Sequence, residues 1–234
     1  MKLRKTVAAL LGALTLTAGM AATADDAQAA EVSVGTLAPK KSPWGKVFSA
    51  WSKAVKKKSD GKLEIKWYFN GAQGDEGAMV AKMRSGQLDG AATTSVGLSK
   101  IYNDILVLQS PGLFRDWDSV DKVRDAMMPD FQAAMEKEGF YMLGSGDVGL
   151  AHTMSKGKAI KSPGDLNSMK VYAWDQDVIA PVTGSVIGYT PVKKSVPGLL
   201  PALRSGQVNV LTVPALAATE RPGESEMDQI REDD

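Results

Sequence analysis

Three aspartates and one histidine are the side chains that could carry acid–base chemistry. Asp75, Asp147 and Asp175 are the carboxylates on which a periplasmic carboxylate-based hydrolase would depend. They form no paired motif, and Asp75 opens a helix-like segment, where an acid also suits the helix dipole. His152 is the only histidine, so a catalytic triad or a zinc site would rest on it alone. A structural role is therefore the favoured interpretation of His152, and catalysis or zinc binding through it is the less favoured one.

A second set of side chains suits binding instead. In open α/β sheets, ligands bind beyond the carboxyl ends of the strands. The residues predicted to bind a ligand there, or in the loops beside those ends, are Trp44, Gln73, Asp75, Thr93, Thr94, Asp147, Tyr172, Trp174, Asp175 and Pro214. Aromatic rings, hydroxyls and amides at one edge are typical of a small-molecule cleft. Trp44 and Trp174, each taken singly, are equally expected to pack in a core or a lid.

A glycine-rich run spans Gly144–Gly149 and matches the dinucleotide pattern Gly-x-Gly-x-x-Gly. In nucleotide-binding folds that pattern opens a helix, whose N-terminus receives the pyrophosphate. Here the following residues, Ala151–Lys161, are typical of a loop or a strand. We expect a loop that allows close backbone approach, rather than a nucleotide site.

A repeat in the sequence indicates which helices and strands position these residues. Arg-Ser-Gly-Gln occurs at 84–87 and again at 204–207, each time after a helix-like segment (Glu76–Met83 and Val196–Leu203) and before an apolar run (Leu88–Thr93 and Val208–Val213). Gly86 and Gly206 are predicted to end their helices in the left-handed region, where glycine has no steric penalty. Strand-like runs at Leu63–Phe69 and Ser185–Val192 precede the two helices. One strand–loop–helix–glycine–strand unit is thus predicted twice.

This alternation predicts an α/β fold with mainly parallel sheets and two lobes, at 31–145 and 146–215. Further predicted elements are a strand at Glu31–Leu37, a helix from about Trp44 to Lys58 capped by Ser42, a helix at Asp118–Glu138, a short strand at Phe140–Gly144, a strand at Met169–Trp174 and a helix at Gln176–Gly184. Chain crossings near 144–155 and after Val213 suit a hinge between the lobes.

The two ends of the chain differ from the rest. Residues 1–29 have a positive start, an apolar stretch and Ala27-Gln28-Ala29, the pattern of a cleaved signal peptide; an uncleaved membrane anchor is the alternative. Residues 220–234 are dominated by acids without apolar periodicity, which predicts a disordered tail. The abrupt change at Thr219 also fits a frameshift or an early stop.

Charge and cysteine content exclude several classes of function. The chain has 28 basic and 27 acidic side chains and no cysteine. Near neutrality gives nucleic acid no long-range attraction, and the lysines at 53 and 56–58 are expected to form the solvated face of a helix. Thiolate chemistry, disulfides and a lipid anchor on cysteine are excluded.

Four motifs resemble those of the solute-binding proteins of TRAP transporters, the DctP-type family, in order and spacing. They are the run from Gln73 to Gly90 with Gly-Gln-Leu-Asp-Gly, the Pro-Gly-Leu-Phe at 111–114, the Ile160–Leu166 turn followed by Met169-Lys170-Val171, and the Ala202–Val208 run. The resemblance spans 31–219. It implies a two-lobe fold of the periplasmic-binding-protein type, with a cleft and a hinge.

Two positions depart from the family's pattern. Typical members carry an arginine that clamps the carboxylate of the solute, where this chain has Tyr172, and a second arginine where it has Ala151. Tyrosine cannot replace the bidentate, charge-assisted contact of a guanidinium. Members of the family also continue for further residues, including a long helix that links the lobes, so the resemblance implies an incomplete second lobe.

The function implied by the resemblance is capture of a small organic solute in the periplasm for a TRAP permease. Hinge closure would trap the solute between the lobes. The resemblance implies that such a protein is not an enzyme and needs no cofactor or metal, because the permease supplies the energy. The alternatives are the hydrolase described above and a non-functional truncated fragment.

Overall fold

The computed structural model of the protein describes residues 29–214 and 229–230. The predicted signal peptide lies outside this range, apart from its last residue, and so does most of the predicted acidic tail. The strands are β1 (Ala30–Thr36), β2 (Leu63–Tyr68), β3 (Gly90–Ala92), β4 (Ala151–Ser155), β5 (Tyr172–Trp174), β6 (Val192–Lys194), β7 (Val210–Pro214) and β8 (Gln229–Ile230). The helices are α1 (Pro43–Lys58), α2 (Glu76–Arg84), α3 (Ser95–Leu98), α4 (Trp117–Lys137), α5 (Ile179–Ile187) and α6 (Leu199–Arg204).

The N-terminal segment, 29–145, is built on a parallel sheet with strand order β2-β1-β3. Helix α1 packs on β2, and α2 contacts β3. As predicted, Ser42 caps α1: its Oγ accepts a hydrogen bond of 3.1 Å from the Gly45 N–H. Helix α4 and a 3-10 helix (Asn103–Gln109) enclose a separate cluster around Ile105, Phe131 and Met135.

The C-terminal segment, 146–214, carries two small sheets. Strands β5 and β6 are parallel, whereas β4 runs antiparallel between β7 and β8. The prediction of mainly parallel sheets is therefore wrong for the β7-β4-β8 sheet. An isolated parallel bridge between Val171 and Val210 joins the two sheets. Strand β8 lies within the predicted tail, 220–234, and pairs with β4 at Met154 and Ser155.

The two repeats have matching local structure. Gly86 and Gly206 adopt φ angles of 70° and 68°, as predicted for helix-ending glycines. In each repeat the glycine N–H bonds to the carbonyl three residues earlier, and the glutamine N–H bonds five residues back, to Lys82 and Ala202. The two units lie in different sheets, because β3 pairs with β1 while β7 pairs with β4.

Two predicted strands are absent from the fold, and both have a physical reason. At Phe140–Gly144 buried and exposed side chains do alternate: Phe140 and Met142 pack against the Ile105 cluster, while Tyr141 and Leu143 face solvent. No strand among the described residues pairs with this segment, so it is not a β-strand. At Ser185–Val192 the β-branched residues instead continue α5 to Ile187. Gly188, at φ 101°, then ends the helix before β6.

Candidate functional site

The N-terminus of α2 is one of the places where the two segments of the chain meet. Asp75 caps this helix, and its Oδ1 accepts a 2.9 Å hydrogen bond from the Glu76 N–H. A carboxylate here satisfies a free helical N–H and complements the helix dipole. The prediction that Asp75 opens a helix is confirmed.

The other oxygen of Asp75 bonds to the C-terminal segment. The Trp174 indole Nε1 donates to Oδ2 at 2.9 Å, and the Val196 N–H donates to the same atom at 3.4 Å. Trp174 stands at the carboxyl end of β5, and its ring packs on a cluster formed by Leu37, Met79 and Leu88. The Trp174 ring therefore packs in a core, which was one of the two roles expected for it. Its indole N–H also forms a hydrogen bond between the two segments.

Gln176 adds a second bond across the junction. Its Oε1 accepts a 2.8 Å hydrogen bond from the Gly77 N–H in the first turn of α2. A Cβ at position 77 would lie 2.7 Å from that oxygen, so glycine permits the approach. Lys100 Nζ donates to the Gln176 carbonyl at 3.3 Å. We call Asp75, Gly77, Lys100, Trp174 and Gln176 the inter-segment seam.

A buried carboxylate, Glu76, lies directly next to the seam and was not among the predicted site residues. Glu76 is 1% exposed; its Oε1 accepts from the Thr94 N–H, and its Oε2 accepts from the Thr94 hydroxyl and the Gly97 N–H. Burial raises the pKa of Glu76 to about 7, against the lowering effect of the hydrogen bonds from Thr94 and Gly97. A glutamate next to a helix cap gives no sequence signal of burial. Only the packing of α3 against α2 creates it.

Thr94 and Gln73 have structural partners near the seam. Thr94 caps α3 through a 3.2 Å bond from the Val96 N–H, in addition to its bond with Glu76. Gln73 accepts a 2.8 Å hydrogen bond from Lys82 Nζ. Thr93 is half-buried and lies where α3 begins. Gln73 precedes α2 by three residues in the chain, and Thr94 contacts Glu76 in its first turn.

Trp44 and Asp147 belong to a neighbouring contact between α1, α4 and the glycine-rich loop. A Cβ at Gly146 would lie 2.8 Å from the Trp44 ring, so this loop does allow close approach. Asp147 receives a 2.6 Å bond from Arg124, whose guanidinium also pairs with Asp121 at 2.7 Å. No helix follows the loop, because β4 begins at Ala151.

The remaining predicted residues lie within the C-terminal segment. Tyr172 packs against the cluster of Leu199, Leu203 and Val208. Asp175 is exposed, and its N–H bonds to the Lys194 carbonyl at 3.1 Å. Pro214 pairs with Ala151 at the end of β7.

The described residues, 29–214 and 229–230, contain no cluster of three metal-ligating side chains. No helix among them is both long and apolar enough to cross a bilayer. Two open surface depressions run along α4, around Asp125 and Pro129 and around Asp116 and Lys122. Neither includes a predicted ligand-binding residue, so the seam rather than these depressions is the candidate site.

Two curated relatives of this chain are named as binding proteins. A solute-binding protein of Verminephrobacter eiseniae is 26% identical over 167 residues, which are 70% of this chain and 49% of the relative. The 2,3-diketo-L-gulonate-binding periplasmic protein YiaO of Escherichia coli is 26% identical over 121 residues, which are 50% of this chain and 36% of the relative. The chain thus spans about half the length, or less, of these curated relatives.

Solved structures share the fold. A sugar acid binding protein of Advenella mimigardefordensis, in complex with galactonate, matches with a TM-score of 0.80 at 19% identity, over 88% of this chain and 66% of that one. A TRAP periplasmic solute-binding protein of Polaromonas, bound to D-erythronate, matches with a TM-score of 0.78 at 21% identity, over 86% and 66%. The α/β fold of periplasmic binding proteins, predicted from the motifs, is confirmed.

The model of the DctP family, described as bacterial extracellular solute-binding protein, family 7, matches residues 34–219. That range contains every element from α1 to β7 and both repeats. The relatives from Verminephrobacter eiseniae and Escherichia coli are named as binding proteins and not as enzymes, in agreement with what the resemblance implies. The chain belongs to the DctP family of bacterial extracellular solute-binding proteins.

Proposed function

We propose that the protein captures a small organic solute in the periplasm, at the inter-segment seam, for delivery to a TRAP-type permease. The observation that carries this proposal is the hydrogen bond between Trp174 and Asp75, which joins the end of strand β5 to the start of helix α2. In an α/β fold this is the position where a ligand would meet both strand ends and a helix N-terminus. Family membership supports the transport role.

The proposed solute is recognised mainly by aromatic and neutral polar groups. The two positions where the family resemblance implies arginines hold Tyr172 and Ala151. Arg124 lies next to the predicted site residue Asp147, but its guanidinium is within 4 Å of the carboxylates of Asp121, Asp125 and Asp147. An arginine so neutralised is a poor clamp for the carboxylate of a solute.

The chemical class of solute is a hydroxylated organic acid or its neutral analogue. Structural neighbours are named with bound galactonate, D-erythronate, L-gulonate and D-glucuronate. For this chain, we propose that the hydroxylated carbon skeleton contributes most of the affinity and the carboxylate little, because of the residues at positions 151 and 172.

The hydrolase alternative has no supporting observation in the seam. Asp75 is engaged as a helix cap and as the acceptor for Trp174, while Asp147 is paired with Arg124. A general base must reach the proton that it abstracts.

Thermal stabilisation tests the proposal. The purified protein is heated with a panel of galactonate, D-erythronate, L-gulonate, D-glucuronate and succinate, and with the neutral aldoses galactose, erythrose and gulose. We expect at least one hydroxylated compound to raise the melting temperature, by mass action on the folded state, and NMR to show it chemically unchanged. Turnover of a stabilising compound would overturn the proposal. Absence of stabilisation by every compound in the panel would favour a non-functional fragment.

A further inference from the structure

Charge is strongly polarised in this chain. The segment 39–62, which contains α1, holds eight lysines and a single acid, Asp60. The whole chain has 28 basic and 27 acidic side chains, so the remainder holds 20 and 26. A nearly neutral protein thus carries a concentrated positive region on α1 and the residues that flank it, and a net negative charge elsewhere, which orients it in an electric field.

Apolar side chains are exposed on the same helix. Val47 is 55% exposed and Trp51 38% exposed, one helical turn apart, and Ala54 continues the stripe. The inner edge of Trp51 contacts Trp67 on β2, with ring centroids 5.8 Å apart. One side of the Trp51 ring is therefore packed against Trp67, and the rest of the side chain is open to solvent.

Lysines border this stripe. Lys46, Lys53, Lys57 and Lys58 are exposed, and the salt bridges of the described residues include none of them. Lys56, by contrast, pairs with Glu64 on β2. Helix α1 itself, Pro43–Lys58, has no acidic residue. The four unpaired ammonium groups and the stripe of Val47 and Trp51 form what we call the basic face of α1.

We infer that the basic face of α1 binds an anionic phospholipid surface. A helix with lysines around exposed tryptophan and valine lies in the headgroup region, where the lysines meet phosphates and the indole meets the interface. Protein interfaces are enriched in arginine and depleted in lysine, whereas segment 39–62 has eight lysines and no arginine. That composition favours a lipid surface over an acidic protein partner.

This surface is separate from the inter-segment seam. Trp44, at the start of α1, contacts the glycine-rich loop, while the basic face begins at Lys46 and ends at Lys58. Membrane attachment would bring the binding protein to a bilayer surface independently of any solute. Binding to vesicles can therefore be measured without solute and does not depend on the proposed function.

Vesicle sedimentation tests the inference, with the protein after signal removal verified by intact mass. Vesicles contain phosphatidylcholine alone or with phosphatidylglycerol. We expect binding to the anionic vesicles only, and weaker binding as salt is raised.

A variant with Lys46, Lys53, Lys57 and Lys58 changed to Gln should bind at least about tenfold more weakly. The matched control changes the exposed Lys122, Lys137, Lys161 and Lys193 to Gln, with the same loss of charge, and should bind like the wild type.

A second readout reports insertion of Trp51. Lipids brominated on their acyl chains should quench part of the tryptophan fluorescence of the wild type, and Trp51→Phe should remove that quenched part. Equal loss of binding in the two lysine variants would mean a net-charge effect and would overturn the inference. So would binding to neutral vesicles, absence of binding to anionic ones, or a wild-type dimer in sedimentation velocity that the α1 variant dissociates. Circular dichroism and melting curves verify that each variant is folded.

Discussion

The indole N–H of Trp174 donates a 2.9 Å hydrogen bond to Oδ2 of Asp75, ninety-nine residues earlier in the chain. The Oδ1 of the same carboxylate caps α2. One aspartate therefore ends a loop, starts a helix and holds the β5 end of the C-terminal segment against the N-terminal segment.

A double-mutant cycle should detect this bond in the free energy of unfolding. Trp174→Phe keeps the apolar ring on Leu37 and Met79 but removes the donor. Asp75→Ser keeps a capping oxygen but cannot reach the indole. We expect a coupling of about 1–2 kcal/mol between them in urea unfolding, because the bond involves a charged acceptor. Trp174→Phe paired with Asp116→Ser, at the cap of α4, is the control and should be additive. Additivity in both cycles would mean that the bond contributes nothing.

Loss of the Trp174 ring should also weaken solute binding. Trp174→Ala is expected to cost about 1–3 kcal/mol with whichever compound of the panel binds, if the solute stacks on the indole. Lys41→Gln is the matched comparison and should cost less, because the proposed recognition does not depend on a cation. Calorimetric titration measures both. Survival of binding in Trp174→Ala together with its collapse in Lys41→Gln would mean that the pocket is misassigned.

Glu76 should make stability depend on pH near neutrality. Burial raises its pKa from 4.5 to about 7, so the folded state holds the proton more tightly than the unfolded chain does. The stabilising contribution of the protonated form is complete below pH 4.5, falls by about 1.4 kcal/mol per pH unit as pH rises, and is lost above about pH 7. The Thr94 hydroxyl can accept from the protonated acid.

Glu76→Gln isolates this contribution, because the other titrating groups cancel when the variant is subtracted from the wild type. The difference in the free energy of unfolding should change between pH 4.5 and 7 and be constant above that range. A difference that stays constant throughout would indicate that Glu76 remains ionised, held by its three hydrogen-bond donors.

The helix-ending glycines of the repeats should be equally sensitive to a side chain. Gly86 and Gly206 have φ near 70°, and a Cβ at either would meet no atom within 4 Å. Gly86→Ala and Gly206→Ala should thus lose about 1 kcal/mol each, entirely from backbone strain. Gly144→Ala is the control, since that site is also open and has no positive φ. Unequal losses, measured by urea unfolding, would argue that the two repeats are not equivalent in the fold.

Local sequence signals predicted much of the fold. The Ser42-Pro43 start of α1 and the glycines at 86 and 206 act through hydrogen bonds and φ angles within a few residues, and all three were confirmed. The strands predicted at Phe140–Gly144 and Ser185–Val192 were wrong, because alternation and β-branching report how side chains pack, not whether a partner strand is present.

The candidate site was predicted less completely. Strand-end reasoning selected Asp75, Thr94 and Trp174, which lie around the start of α2, but it also selected Tyr172 and Pro214, which pack elsewhere. It missed Glu76 and Gly77. Their roles depend on how β5 meets α2, a long-range relation that no local spacing encodes.

The central claim is that solute binds at the inter-segment seam, next to Asp75 and Trp174. Fluorine NMR of protein labelled with 5-fluorotryptophan tests this claim most directly. The chain has five tryptophans, and Trp174→Phe assigns the resonance of interest. Titration with the panel compound that raises the melting temperature most should shift the Trp174 resonance in a saturable way and leave the exposed Trp117 on α4 unchanged. Saturable binding that leaves Trp174 unshifted would contradict the account.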